Sequence, residues 1–215
     1  MIKNMNIRKS RDNMINNQIR ACNINDPYII NTFKAIPREY FVPSFFYSLA
    51  FSDTMIPLSC NEYMLTPIIE AKMLQILSPK SHEIILEIGT GSGFFTALLA
   101  YNCKHVYSIE IFDKLKKYAE KKLLYLNFKN ITLELGNASI GWYKNHPYDK
   151  IIITAALPSL SDSFKTLLNV NGEIIAPLGN HKIMSIYKIL RNPNGEWENI
   201  PIFETFLPYI KNILE

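Results

Sequence analysis

A glycine-rich turn with an acidic residue on each side is the stretch of this sequence whose residues could do chemistry. The turn Gly89–Gly93 reads GTGSG, Glu87 precedes it, and Glu110 follows about 20 residues after the first glycine. Apolar runs at 84–88 and 94–100 flank the turn, which predicts a buried strand, a tight turn and a helix. Glycines let a ligand approach the main chain closely, and the helix start presents free N–H groups at the same place.

The acidic residues indicate which ligand this turn would take. A dinucleotide site has the spacing G-x-G-x-x-G, and a carboxylate as close to the turn as Glu87 would repel a pyrophosphate. An acid there suits the amino group and sulfonium of S-adenosylmethionine, and Glu110 can accept hydrogen bonds from both hydroxyls of a ribose. The alternatives are a nicotinamide site, which the same features disfavour, and an ordinary turn with an incidental surface acid. The residues expected at this cofactor are Glu87, Gly89, Thr90, Gly91, Gly93 and Glu110.

The elements after the turn alternate between strand and helix patterns. Strands are predicted at 106–109, 131–135, 149–156 and 173–177, with helices at 113–126, capped by Asp113, and at 161–168. Five strand-then-helix units predict an α/β fold with a doubly wound, mostly parallel, Rossmann-like sheet. The runs Met184–Leu190 and Phe203–Leu207, joined by a turn at Asn192–Gly195, add antiparallel strands at one edge.

Ligands bind at the carboxyl ends of the strands in such a sheet. Asn137 and Ala138 follow the predicted third strand, and Thr154 and Ala155 end the fourth, so they join the expected site. Before the sheet, the polar N-terminal third predicts three helices: one at 14–22, one that begins at Pro27 with Asp26 as the cap, and one at 67–77 with Thr66 as the cap. The segment 51–63 is predicted to be a loop over the ligand pocket.

Length and composition indicate one domain with no metal or membrane role. We expect a single domain over residues 1–215, with a helical part at 1–80, a cofactor core at 81–180 and terminal strands at 181–215. The three cysteines and four histidines have no metal-ligand spacing, and no apolar run approaches the roughly 20 residues that span a bilayer. The net charge of +4 is modest, and the lysines of 114–122 read as a solvated helix face and not as a nucleic-acid site. We therefore expect a cytoplasmic monomer.

The sequence resembles the protein-L-isoaspartate O-methyltransferases, a family of class I S-adenosylmethionine-dependent methyltransferases. The resemblance covers nearly the whole chain. The matching segments are Asn17–Arg20, Asp26–Pro27, Ile36–Arg38, Phe41–Pro43, Asp53, Pro57–Leu58, Leu86–Gly93, Val106–Glu110, Asn130–Ile131, Gly141–Trp142, Tyr148–Asp149, Thr154–Ala156 and Leu207–Pro208.

The resemblance implies repair of damaged proteins by methylation of the stray carboxylate of L-isoaspartyl residues. It implies that Gly89, Gly91 and Gly93 line the methionine part of the cofactor and that Glu110 binds the ribose. Asn137 and Ala138 stand where the family, usually with an aspartate and a glycine, holds the adenine. Thr154 and Ala155 are implied to flank cofactor and substrate.

The chain departs from the family in the loop before the 67–77 helix. The family's glycine–glutamine–threonine–isoleucine–serine, one residue and proline corresponds to Asn61–Pro67, so Leu65 replaces the serine that hydrogen-bonds the substrate carboxylate. Tyr63 and Thr66 are the candidate replacements, although Thr66 is needed as a cap, and Glu62 would repel an anionic substrate. The alternatives are therefore a methyltransferase of the same lineage with another substrate, and a cofactor-binding protein without isoaspartyl activity.

Overall fold

The computed structural model describes residues 6–192 and 194–211 and contains a seven-stranded sheet. The strands are β3 (Ile84–Ile88), β4 (His105–Glu110), β5 (Ile131–Leu135), β6 (Tyr148–Ile153), β7 (Leu168–Gly179), β8 (Met184–Arg191) and β9 (Trp197–Glu204), in the order β5-β4-β3-β6-β7-β8-β9. The pairs from β5 to β7 are parallel, and β8 and β9 pair antiparallel at one edge. The mostly parallel sheet with an antiparallel edge agrees with the predicted fold class.

The N-terminal part consists of helices and one small pair of strands. Helix α1 (Ile7–Met14) continues through a π-helical turn (Ile15–Ile19) and a 3-10 turn (Arg20–Cys22), so the helix predicted at 14–22 begins earlier. Helices α2 (Pro27–Ala35) and α3 (Pro67–Leu77) begin at prolines behind the caps Asp26 and Thr66, as predicted. The predicted loop at 51–63 contains part of a short antiparallel pair, β1 (Ile56–Pro57) and β2 (Tyr63–Met64).

Two α-helical crossovers connect the first strands of the large sheet. Helix α4 (Phe94–Asn102) joins β3 to β4, and α5 (Asp113–Tyr125) joins β4 to β5. The prediction of five strand-then-helix units is wrong for the later crossovers: a loop at 136–147 joins β5 to β6, and a 3-10 helix (Asp162–Leu167) joins β6 to β7. The first of these segments contains Gly136, Gly141 and Pro147 and has no helical period, which explains the missing helix.

Several predicted boundaries differ from the observed ones. Asp113 is the first residue of α5 and not its cap; its carboxylate pairs with Lys117 at 2.6 Å. Strand β7 begins at Leu168, which pairs with Tyr148. The last residue of the helix predicted at 161–168 therefore belongs to this strand. The last strand was predicted at 203–207, but β9 runs from Trp197 to Glu204. It begins earlier because the turn after β8 is short: the Asn192 N–H donates to the Glu196 carbonyl at 2.8 Å. Pro193 of that turn lies outside the described residues.

The core lies on both faces of the sheet. On one face, α2, α3, α4 and α5 pack against side chains such as Ile85, Val106 and Ile152. On the other face, the loop at 136–147 and the 3-10 helix cover Leu86, Ile151 and their neighbours. Since successive strand residues point to opposite faces, the odd and even positions of β3 belong to different clusters.

Candidate active site

A cleft lies at the carboxyl ends of β3, β4, β5 and β6, where parallel strands commonly bind ligands. It contains about 860 Å³ of empty space, including the part that opens to solvent. Its walls come from four segments: the glycine turn, the ends of β4 to β6, the loop before α3, and the chain after β9. The lining residues are Glu62, Tyr63, Met64, Leu65, Glu70, Ile88, Gly89, Thr90, Gly91, Ser92, Phe95, Ile109, Glu110, Ile111, Phe112, Leu115, Gly136, Asn137, Ala138, Thr154, Ala155, Pro208, Ile210 and Lys211.

The glycine turn follows a backbone path that side chains would obstruct. Gly89, Gly91 and Gly93 have φ values of +95°, +55° and +84°. A Cβ on Gly89 would lie 2.3 Å from Thr154 Oγ1, and one on Gly93 would lie 2.9 Å from the Cβ of Ala119. Gly93 therefore lets α4 pack against α5 and does not itself line the cleft. Gly91 lines the cleft, and a Cβ on it would make ordinary van der Waals contact with Leu58 Cδ1 at 3.6 Å.

Glu87 is fully buried and does not line the cleft, which differs from the expectation that its carboxylate faces the ligand. Its Oε2 accepts hydrogen bonds from Thr96 at 2.5 Å and Ser108 at 2.6 Å, and Ser108 shares another with Thr90 at 2.6 Å. Burial raises the pKa of Glu87 to about 8, against the effect of the two hydroxyl donors. Glu87 therefore supports the turn from beneath through α4 and β4.

Glu110 is the carboxylate at the floor of the cleft. Its Oε2 accepts from the Gly91 N–H at 2.8 Å and its Oε1 from the Phe112 N–H at 3.0 Å, so both oxygens are fixed in direction. Burial raises its pKa, while these backbone donors oppose the shift. A carboxylate has about four acceptor positions, so Glu110 keeps capacity for hydroxyl donors from the cleft.

The ends of β5 and β6 bring the remaining predicted cofactor residues to the same cleft. Asn137 Oδ1 accepts from the Ser139 N–H at 2.9 Å, which holds the turn after β5, and Ala138 is buried beside it. The Thr154 hydroxyl donates to the carbonyl of Gly89 at 2.8 Å and of Ile88 at 3.0 Å. These bonds join the end of β6 to the glycine turn, and Ala155 follows on the cleft wall.

The loop before α3 forms the wall opposite the glycine turn, and an apolar side chain stands where the family has a serine. Leu65 is buried at 7 % exposure and presents an apolar side chain to the cleft, while Tyr63 lines the cleft with 44 % exposure. Thr66 does not line the cleft; its hydroxyl caps α3 by accepting from the Ile69 N–H at 3.4 Å. Asp53 caps the same helix from outside by accepting from the Ile68 N–H at 3.1 Å.

Arg38 holds this loop from beneath, a role that the sequence pattern did not indicate. Its guanidinium donates to the carbonyl of Leu65 at 2.6 Å and of Ala50 at 3.0 Å, and it forms a buried ion pair with Glu70 of α3. Burial lowers the pKa of Arg38 and raises that of Glu70, while their contact opposes both shifts. The loop is thus anchored through its backbone, and its side chains can differ without loss of the anchor.

The chain after β9 closes the cleft on a third side. The Ala156 N–H donates to the Pro208 carbonyl at 2.8 Å, and the Ile210 N–H donates to the Ala156 carbonyl at 2.9 Å. This pairing brings Pro208, Ile210 and Lys211 to the wall, and the sequence had no signal for it beyond the apolar Leu207–Pro208. Within 6–192 and 194–211, no group of histidine, cysteine and acidic residues could hold a metal, and no helix could cross a membrane.

Comparisons with known proteins agree with this arrangement. Residues 9–210 match the family model of protein-L-isoaspartate(D-aspartate) O-methyltransferase. The chain is 33% identical over 192 residues to the Petrotoga mobilis protein-L-isoaspartate O-methyltransferase, covering 89% of this chain and 90% of that one. It is 34% identical over 194 residues to the Dictyoglomus turgidum enzyme of the same name, covering 90% and 86%.

A solved structure shares the fold. It is a Plasmodium falciparum protein described as a protein-L-isoaspartate O-methyltransferase in complex with S-adenosyl-L-homocysteine. The TM-score is 0.81 at 20% identity, covering 94% of this chain and 98% of that one. With the family model and the relatives above, these findings show that the chain belongs to the protein-L-isoaspartate(D-aspartate) O-methyltransferase family.

Proposed function

We propose that this protein transfers a methyl group from S-adenosylmethionine to the free carboxylate of L-isoaspartyl residues in damaged proteins. The observation that supports this most directly is the single cleft in which the glycine turn and Glu110 face the loop before α3. The family membership established above supports the substrate class.

The residues present fit the cofactor. Gly91 lines the cleft without a side chain, and Glu110 presents acceptors that are already fixed in direction. We assign cofactor binding to Gly89, Thr90, Gly91, Glu110, Asn137, Ala138 and Thr154, with Glu87 and Gly93 supporting the turn from outside the cleft. When bound, the cofactor supplies a methyl group activated by a positively charged sulfur.

The chain's own contribution to the reaction is positioning and removal of water. A carboxylate nucleophile needs no general base, so the absence of a catalytic dyad from the described lining agrees with the chemistry. Met64 and Leu65 of the loop before α3 and Phe95 of α4 give the cleft lining an apolar character, which excludes water from the reacting groups. Substrate contacts are assigned to Tyr63, Leu65 and Ala155, and Thr66 positions the loop through its cap.

We further infer that the protein acts as a cytoplasmic monomer on protein or peptide substrates and does not bind nucleic acid or membranes. All three cysteines are free, as is usual in a reducing compartment. The lysines of α5 are partly engaged on the helix itself: Lys117 pairs with Asp113 and Lys116 with Glu120. They therefore support a solvated helix face.

A second substrate class is favoured by one observation, the apolar Leu65 at the position where the family has a serine. In that case the protein is a methyltransferase of the same lineage that binds the cofactor and methylates a different acceptor. A non-catalytic cofactor-binding protein would give no methyl transfer at all.

The test is transfer of labelled methyl groups from S-adenosylmethionine to matched peptides, one isoaspartyl and one aspartyl. We expect base-labile label on the isoaspartyl peptide alone. The control is Gly91→Asp, because aspartate tolerates the positive φ of this position and adds a charged side chain at a residue that lines the cleft. Cofactor binding without label on either peptide would exclude the isoaspartyl activity, and label on the aspartyl peptide would exclude the specificity.

A further inference from the structure

Glu62 carries a buried oxygen without a hydrogen-bond partner among the described residues. The loop closes around it, since the Leu58 N–H donates to the Glu62 carbonyl at 2.8 Å and the Glu62 N–H to the Ser59 carbonyl at 3.3 Å. These bonds fix the backbone from which the side chain enters the cleft lining. Its Oε1 is shielded from solvent and has no donor. A buried acceptor in this state is costly unless a ligand supplies a donor or a positive charge.

Among the cleft-lining residues that the structure describes, acidic side chains without an ion-pair partner outnumber basic ones. Burial raises the pKa of Glu62, the nearby Glu110 raises it further, and Lys211 lowers it. These three groups line one cleft, whereas the carboxylate of Glu70 is already paired with Arg38. Among the described lining residues, the unpaired charges are therefore two carboxylates and one ammonium.

S-adenosylmethionine carries one positive charge more than its demethylated product, S-adenosylhomocysteine. The two molecules are otherwise alike, so they differ most in their interaction with fixed charges near the ligand. A carboxylate in a partly desolvated wall interacts with such a charge more strongly than one in bulk water. We propose that Glu62 raises the affinity of the cleft for the sulfonium cofactor relative to its neutral product and so favours product release after each transfer. This inference rests on the proposed cofactor and deepens it.

The experiment measures the dissociation constants of S-adenosylmethionine, S-adenosylhomocysteine and sinefungin by calorimetry, without any peptide substrate. Sinefungin replaces the charged sulfur by a carbon bearing an ammonium group, so it keeps the charge and cannot transfer a methyl group. Glu62→Gln should weaken binding of the two charged ligands about 3- to 10-fold and that of S-adenosylhomocysteine less than about 2-fold.

Two further variants control the comparison. Lys211→Gln removes the opposing charge and should shift the preference the other way, toward the charged ligands. Glu198→Gln removes a carboxylate from the exposed face of β9, away from the cleft, and should leave all three constants unchanged. Thermal unfolding of each variant shows whether it keeps the wild-type fold.

The outcomes separate the inference from the proposed function. A wild-type protein that binds neither S-adenosylmethionine nor S-adenosylhomocysteine would overturn both. If wild type binds both ligands but Glu62→Gln weakens all three equally, Glu62 contacts a part that they share and the charge preference is wrong. Unchanged constants in Glu62→Gln would overturn the inference and leave the cofactor assignment intact.

Discussion

The two walls of the cleft are built in different ways. One wall, formed by the glycine turn and the ends of β4 to β6, is the proposed cofactor site and is called the cofactor wall. Its polar groups hold one another: Glu110 accepts from the Gly91 and Phe112 N–H groups, and Thr154 joins β6 to the glycine turn. On the loop wall the polar anchoring is in the backbone, through Arg38, while Leu65 presents no donor and Glu62 leaves an oxygen without one. The geometry of the cofactor wall therefore follows from the sheet. The side chains of the loop before α3 can differ while Arg38 still holds its backbone.

The largest expected effect comes from removing that support. Arg38→Leu leaves Glu70 buried without a partner and should lower the free energy of unfolding by about 3–5 kcal/mol, measured by urea denaturation. The double variant Arg38→Leu/Glu70→Leu should recover the part of the loss that comes from the unpaired charge, whereas the carbonyls of Leu65 and Ala50 still lack their donor. A loss below about 1 kcal/mol in the single variant would contradict the role of this ion pair.

The next effect tests the support beneath the glycine turn, through Glu87. Its pKa is raised from 4.5 to about 8 by burial, so between these pH values the unfolded chain releases a proton that the folded chain keeps. This group therefore favours folding most below pH 4.5, and its contribution is lost as pH rises toward 8. Between pH 6 and 8, the unfolding free energy of wild type should therefore fall by about 2 kcal/mol more than that of Glu87→Gln.

The measurement is a series of urea denaturation curves at pH 6, 7 and 8 for wild type and Glu87→Gln. The difference between the two proteins isolates Glu87 from Glu70, whose pKa burial also raises. Parallel pH profiles for the two proteins would mean that Glu87 is ionised in the folded state.

The smallest effect is expected at Leu65, and it tests whether the loop before α3 lacks a donor that the reaction needs. Leu65→Ser places a hydroxyl donor on the loop wall and should raise kcat/KM for an isoaspartyl peptide up to about 10-fold, since one hydrogen bond contributes about 1 kcal/mol. Leu65→Ala removes the same packing without adding a donor, so it should not give this gain. Equal rates in the two variants would show that the missing serine does not limit the reaction.

Local patterns in the sequence predicted the elements nearest the proposed cofactor site. The strand Ile84–Ile88, the helix Pro67–Leu77 and the strand Ile131–Leu135 lie where the apolar periods, caps and glycines indicated. Glu110, Asn137, Ala138, Thr154 and Ala155 also line the cleft, because parallel strands bring their carboxyl ends to one edge. The connections from β5 to β6 and from β6 to β7 lack α-helices, but the strands stay parallel, so the same residues meet at this edge.

The orientation of Glu87 shows what a motif alone does not fix. It was expected to face the ligand because it precedes the glycines, yet it shares the strand face of Ile85, which α4 covers. The alternation of strand side chains indicates that Glu87 and Ile85 share a face. Only the packing of α4 against that face shows that the Glu87 side chain is buried beneath the turn.

The sequence by itself determined the α/β fold class, the glycine turn and the strand ends that form the cofactor wall. Their signals are local, since caps, periods and glycines act within a few residues. Only the tertiary structure placed Arg38 under Leu65, left the oxygen of Glu62 without a partner and brought Lys211 to the cleft through the pairing of Ala156 with residues 208–210. These contacts join residues far apart in the chain, so their geometry depends on how the whole sheet and its N-terminal helices pack.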